Sequence, residues 1–302
     1  MNSVVYFKLI RWKNLLLIIY TYLLIKFLFF PSFSIETALS LFQFSLLLLS
    51  IVLISAAGYI INDIEDVISD KINKPKKLIV SKVITKEKAN QWYKITNTLG
   101  IALGILFCLN ISKPTYSFIF IGASLLLYLY SKKLKSKPLI GNLIIAFLIG
   151  ISIFILAFFE FNFILKTEPQ NLAFTIIKAL SIFAFCMNLT REIIKDIEDV
   201  NGDYVLKIST LPILLGITRT KNIANLTILL PIGLLLFILL NFSESYKFTM
   251  LYLLITVFLP LVYISIKLFS VKNKNDFKKI STLLKITMFL GVNSLIIFSK
   301  FH

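Results

Sequence analysis

The chain has 302 residues, 58% of them hydrophobic and 16% charged, with a mean hydropathy of +0.87 and a formal net charge of +17. That much apolar surface exceeds what a soluble core can hide, which excludes a soluble globular domain and makes the expected fold an all-α polytopic membrane protein. No nucleic-acid recognition fold suits so apolar a chain, so the positive charge is read as topogenic and as attractive to anionic lipid headgroups.

A bilayer helix needs roughly 17 to 25 apolar residues. Nine runs qualify, near 14–30, 38–61, 92–111, 114–130, 139–160, 171–190, 222–241, 247–266 and 282–299. Lys8, Arg11 and Lys13 precede the first run as they would in a signal peptide, but no small-residue cleavage site follows, so it reads as a retained helix. Cys108 and Cys186 fall inside spans and read as packing residues. The one histidine is His302, which leaves no basis for histidine acid-base chemistry or histidine-ligated metal. Cytoplasmic loops collect lysine and arginine. Of the 32 basic residues, 26 lie in the N-terminus and the 62–94, 131–138, 191–221 and 267–285 segments, and only Lys26, Lys113, Lys166, Lys178, Lys247 and Lys300 lie elsewhere. Nine spans with the N-terminus inside and the C-terminus outside satisfy this alternation, in a multi-pass protein of the cytoplasmic membrane.

Asp-Ile-Glu-Asp-Val occurs twice, at 63–67 and at 196–200, each time with a further aspartate at matching distance. The results are Asp63, Asp66, Asp70 and Asp196, Asp199, Asp203, and nine of the 15 acidic residues lie in these segments once Glu65, Glu192 and Glu198 are counted. On a helix, each trio spans roughly 60° of arc. Asn62 borders the first face and Glu192 shares the second, while Glu65 and Glu198 point away. Like charges at this spacing repel, and carboxylates near hydrocarbon cost several kcal/mol unless compensated. The bland alternative is a pair of solvated helix ends balancing nearby lysines, and the repetition disfavours it. All-oxygen ligands suit Mg²⁺, which keeps waters and bridges carboxylates to substrate phosphates. Lys71, Lys74, Lys76 and Lys77 follow the first array, Arg191 and Lys195 flank the second, and Tyr130, Lys132, Lys133 and Lys135 close the fourth span. Carboxylates for metal beside cations for oxyanions are what a diphosphate site requires.

These residues resemble the UbiA-type intramembrane prenyltransferases. Asn62 to Asp70 with Asn73-Lys74-Pro75 is similar to that family's first aspartate motif, and Asp196 to Asp203 with Thr210-Leu211-Pro212 to its second. Tyr130 to Lys135 with Gly141-Asn142 is similar to the loop between its fourth and fifth helices. The resemblance implies one transmembrane prenyltransferase domain over 1–302, with helices ringing a central cavity beneath cytoplasmic cap loops. Its implied activity is transfer of an isoprenoid chain from a prenyl diphosphate to a lipophilic acceptor in the membrane. It implies that Asn62, Asp66, Asp70, Asp199 and Asp203 hold two Mg²⁺ ions, with Asp63 and Asp196 assisting directly or through water. Asp66, Asp70, Asp199 and Asp203 are then the catalytic set, and Lys77, Tyr130, Lys135 and Arg191 face the diphosphate. No obligate protein partner is expected.

The run Arg191 to Asp203 looks most like the branch that acts on geranylgeranylglyceryl phosphate in ether-lipid synthesis. An aromatic quinone precursor stays open as acceptor, and a carboxylate-lined cation transporter stays open as a reading of another class. The chain departs from the family pattern at Lys77-Leu78, where Arg-Pro is usual, at Lys82, where glycine is expected, and at Tyr204, Lys207 and Ser209 after the second array.

Overall fold

Apolar runs with few strand-breaking signals become helices because a backbone in lipid must satisfy its own hydrogen bonds. The computed structural model describes residues 2–161, 167–242 and 246–301, so Lys166 and His302, both weighed above, lie outside the described residues. A short helix α1 (Asn2–Leu9) precedes α2 (Trp12–Ser32). Next come α3 (Leu41–Glu65), α4 (Val67–Asn73), α5 (Lys86–Asn110), α6 (Pro114–Lys132) and α7 (Ile140–Glu160). The chain continues with α8 (Glu168–Val205), α9 (Leu211–Phe242), α10 (Lys247–Ser270) and α11 (Lys274–Phe301). Among the described residues nine of these, all but α1 and α4, are long and apolar enough to cross a membrane. There are no strands among them, only one isolated bridge between Val80 and Ile84.

Local chemistry fixes several helix starts. Ser40 caps α3 in a capping box, its Oγ accepting from Gln43 N at 3.2 Å while Gln43 Oε1 accepts from Ser40 N at 2.9 Å. Thr85 caps α5 on one side only, its Oγ1 accepting from Lys88 N at 3.3 Å. α9 contains a break at Gly216, whose φ of +78° and ψ of 161° suit a residue without Cβ, and its helix resumes beyond that point.

The chain forms two compact units. The first comprises Met1–Tyr20, Leu39–Gly141 and Asn201–Ser209. Within it α3 packs on α5 and α6 at small residues: a Cβ at Gly104 would come within 2.5 Å of Phe120 and 2.8 Å of Ser50 Oγ. Ser50 Oγ donates to Gly100 O at 2.7 Å, so a buried hydroxyl in an apolar helix pair is satisfied. Leu9, Ile10 and Leu15 bury against Ala56, Ile60, Ile64, Val80 and Ala89, which seats the N-terminal segment on α3 beside the first aspartate array.

The second unit comprises Thr21–Ala38, Asn142–Val200 and Thr210–His302. Phe29, Phe33 and Phe298 cluster there with ring centroids 5.1 to 5.7 Å apart. Lys26 and Glu160 form a buried ion pair at 2.6 Å, with Thr37 Oγ1 accepting from the same Nζ at 2.7 Å. Full pairing is what allows such charges to remain buried.

Candidate active site

The expectation that the first array rides one continuous helix is corrected. α3 closes at Asp66, whose φ of −86° and ψ of 5° fall in the bridge region, and α4 restarts at Val67. Hydrogen bonds still cross the break, from Asp66 N to Asn62 O at 2.9 Å and from Asp70 N to Asp66 O at 2.8 Å. The three aspartates therefore keep helical order while the chain bends at the middle one. Asn62 Nδ2 also donates to Asp66 Oδ2 at 2.7 Å, a local side-chain bond of the kind that competes with a regular helix.

Asp63, Glu65 and Asp66 each face a different cation. Asp63 Oδ1 accepts from Arg11 Nη2 at 2.8 Å, and that guanidinium stands 4.9 Å from the centroid of the Tyr59 ring. The Tyr59 hydroxyl accepts in turn from Asn14 Nδ2 at 3.2 Å. Asp66 Oδ1 accepts from Lys135 Nζ. Glu65, expected to face away from the other acids, lies 3.9 Å from Lys132 Nζ.

Lys135 reaches Asp66 because of the loop after α6. A tight turn over Leu134–Ser136 and a left-handed Leu139 (φ +64°) fold the chain back before α7. A Cβ at Gly141 would lie 2.8 Å from Lys135 Cα and 3.3 Å from Tyr130 Cε2, so the absence of a side chain there permits the close approach. Tyr130 and Lys135 thus both lie against Gly141. Lys77 sits in an exposed turn whose N–H bonds to Lys74 O at 2.9 Å.

The second array lies on one unbroken helix, α8, whose 38 residues continue well past the apolar run. Asp196 Oδ2 accepts from Asn142 Nδ2 at 2.9 Å. Glu192 Oε1 accepts from Lys195 Nζ at 2.7 Å and from Arg191 Nη1 at 3.3 Å. The helix ends in a Schellman-type turn: Lys207 adopts φ +54° and Ile208 N donates to Asp203 O at 2.9 Å. A left-handed backbone favours glycine, and here a lysine occupies it.

The two acidic segments meet at Gly202. Gly202 N donates to Asn73 Oδ1 at 3.1 Å, and Asn73 Nδ2 donates to Ser69 Oγ at 3.3 Å. A Cβ on Gly202 would come within 2.3 Å of Asn73 Nδ2 and 3.0 Å of Ser69 Oγ. Ser69 immediately precedes Asp70 and Gly202 immediately precedes Asp203, so this contact brings the chain at the end of one array against the chain at the end of the other. Sequence reasoning missed Ser69, Gly202 and Arg11. Bonds across 129 and 52 residues leave no local signal.

Among the described residues no three acidic side chains converge to enclose a metal by themselves. The donor set still fits Mg²⁺, which takes one or two carboxylates and completes its shell with water and phosphate oxygens. Asp66 already holds one cation, the Lys135 ammonium, so its carboxylate is placed to accept positive charge.

Among the described residues, nine helices long and apolar enough to cross a membrane define a polytopic membrane protein. The chain belongs to the UbiA prenyltransferase family, whose model matches residues 15–292, and it is a prenyltransferase. It is 37% identical over 242 residues to digeranylgeranylglyceryl phosphate synthase of Saccharolobus solfataricus, covering 80% of this chain and 79% of the relative. A solved structure from work on digeranylgeranylglyceryl phosphate synthase in membranes matches with a TM-score of 0.68 and 26% identity over 99% of both chains. A UbiA homolog from Archaeoglobus fulgidus bound to DMAPP and Mg²⁺ shares the fold at a TM-score of 0.55 and 16% identity, over 95% of this chain and 98% of the other.

Proposed function

We propose that the chain transfers a geranylgeranyl group from its diphosphate to geranylgeranylglyceryl phosphate, forming an ether bond. The observation that carries this reading is the Gly202–Asn73 bond, which joins the two aspartate segments expected to share one diphosphate. The acceptor follows from the relative at 37% identity, and that likeness favours a glycerophosphate lipid over a quinone precursor.

In this reading residues 1–302 act as one catalytic domain. Asn62, Asp66, Asp70, Asp199 and Asp203 would hold two Mg²⁺ ions, with Asp63 and Asp196 assisting directly or through water. Bound Mg²⁺ supplies Lewis-acid stabilisation of the departing diphosphate. Lys77, Tyr130 and Lys135 orient the diphosphate and take up charge as the allylic C–O bond breaks and its electron pair leaves with the phosphate oxygen. Lys135 exchanges its hold on Asp66 for a phosphate oxygen when substrate arrives. The acceptor hydroxyl then forms the new C–O bond at the allylic carbon. Its proton goes to a carboxylate, a phosphate oxygen or water, the sequence offering no histidine in its helices.

The lysine alternation supports placing the arrays and the N-terminus on the cytoplasmic face of the cell membrane. Incubating purified protein with Mg²⁺, labelled geranylgeranyl diphosphate and a panel of glycerophosphate and aromatic acceptors tests the reading. Labelled ether lipid is expected. Label entering only aromatic acceptors would refute the acceptor assignment and leave the enzyme class intact.

A further inference from the structure

A charged group on α8 leads into the second aspartate trio from its membrane side. Glu192 is buried at 9% exposure, and its Oε1 receives both Lys195 Nζ and Arg191 Nη1. Arg191 Nε is also buried, with no hydrogen-bond partner among the described residues. A buried guanidinium donor without an acceptor is costly, and an anionic oxygen relieves that cost best.

The depth of this group along the helix indicates which anion. The apolar run of α8 ends at residue 190, so Arg191 is its first charged residue toward the arrays. At 1.5 Å of rise per residue, Lys195 lies about 6 Å and Arg191 about 12 Å membrane-ward of Asp199. A diphosphate held at the aspartates is therefore bound farther from the hydrocarbon than this cluster. An acceptor anchored in the bilayer by its own chain carries its headgroup at the boundary, where Arg191 and Lys195 sit. Its nucleophilic hydroxyl is only a few bonds from its phosphate, within the separation that Lys195 and Asp199 span.

We propose that Arg191 and Lys195, bridged by Glu192, bind a phosphate monoester on the acceptor and so set the enzyme's preference for a phosphate-bearing lipid alcohol. This rests on the glycerophosphate reading above and reassigns Arg191 from donor to acceptor. Glu192 is a positioning residue, holding the two cations side by side across one turn.

The test uses the full-length protein in lipid nanodiscs with geranylgeranylglyceryl phosphate and its dephosphorylated alcohol as paired acceptors. For Arg191→Gln and Lys195→Gln the proposal expects the KM for the phosphorylated acceptor to rise at least tenfold. The preference for it over the alcohol falls by a similar factor, and the KM for geranylgeranyl diphosphate moves less than twofold. Arg191→Lys keeps the charge and recovers part of the preference. Binding of the phosphorylated acceptor in excess chelator, measured by its displacement of a fluorescent lipid phosphate, falls in parallel. A raised donor KM with unchanged acceptor preference would return Arg191 to the diphosphate and overturn the proposal, as would an equal loss with both acceptors. Wild-type protein that turns over neither acceptor would instead overturn the glycerophosphate reading itself.

Discussion

Asn73 occupies a small gap above Gly202 that no other residue at 202 would leave open. With alanine there, Asn73 must swing aside, since a Cβ would lie 2.3 Å from its Nδ2. The bond to Gly202 N is then lost, at a cost of about 1 kcal/mol in stability. The effect on turnover should be larger, because displacing aligned groups by about 1 Å can cost 100-fold in rate. Gly202→Ala is therefore expected to fold and insert normally while kcat drops at least about tenfold. Wild-type kcat in that variant would show that the contact does not align the arrays. The sequence displays Gly202 only as a glycine inside a polar helical run, and the partner that makes it necessary lies 129 residues away.

Helix boundaries show what hydropathy can and cannot deliver. The nine expected runs all appear among the described helices, because each apolar stretch must bury its backbone bonds. Their ends shift where polar residues continue a helix out of the hydrocarbon: the run at 171–190 becomes Glu168–Val205, and that at 92–111 becomes Lys86–Asn110. Thr85 as N-cap explains the second shift. The bend at Asp66 was hidden because Asp-Ile-Glu-Asp-Val reads alike in both copies, while only the first has Asn62 bonding the middle aspartate. The pairing of the α1–α2 turn with α3 through Arg11 and Asp63 was hidden as well, Arg11 having been counted only as a topogenic charge. Arg11 is over a third exposed, so solvent screens the pair and each single neutralisation should cost about 1 kcal/mol or less. Asp63→Asn and Arg11→Gln are each expected to lower the melting temperature of metal-free protein, and the exchange Arg11→Asp with Asp63→Arg to restore it. Identical melting curves for all of these would show that the pair does not anchor the α1–α2 turn to α3.

At the scale of the whole chain, the orientation proposed from the lysine count is open to a direct test. Both cysteines are buried, so the protein offers little background to a thiol probe. Lys113 and Lys82 are exposed and belong to loops placed on opposite faces by the lysine count. A membrane-impermeant maleimide applied to intact cells should label Lys113→Cys and spare Lys82→Cys until the cells are lysed, whereas the reverse pattern would invert the orientation. Repetition of the aspartate run was legible in the sequence because two such clusters are costly to keep without compensating positive charge. Their meeting point was not legible, since it depends on tertiary contacts through Asn73 and Ser69.

The joining of the two segments is tested most directly by measuring Mg²⁺-dependent release of diphosphate and transfer of label from geranylgeranyl diphosphate in wild type, Asp66→Ala and Asp199→Ala. One substitution falls on each segment, and all three proteins are checked for equal folding in the membrane. Transfer is expected in wild type alone, and chelator should abolish it. Sustained transfer by either variant, or by wild type in excess chelator, would contradict a shared metal-diphosphate site.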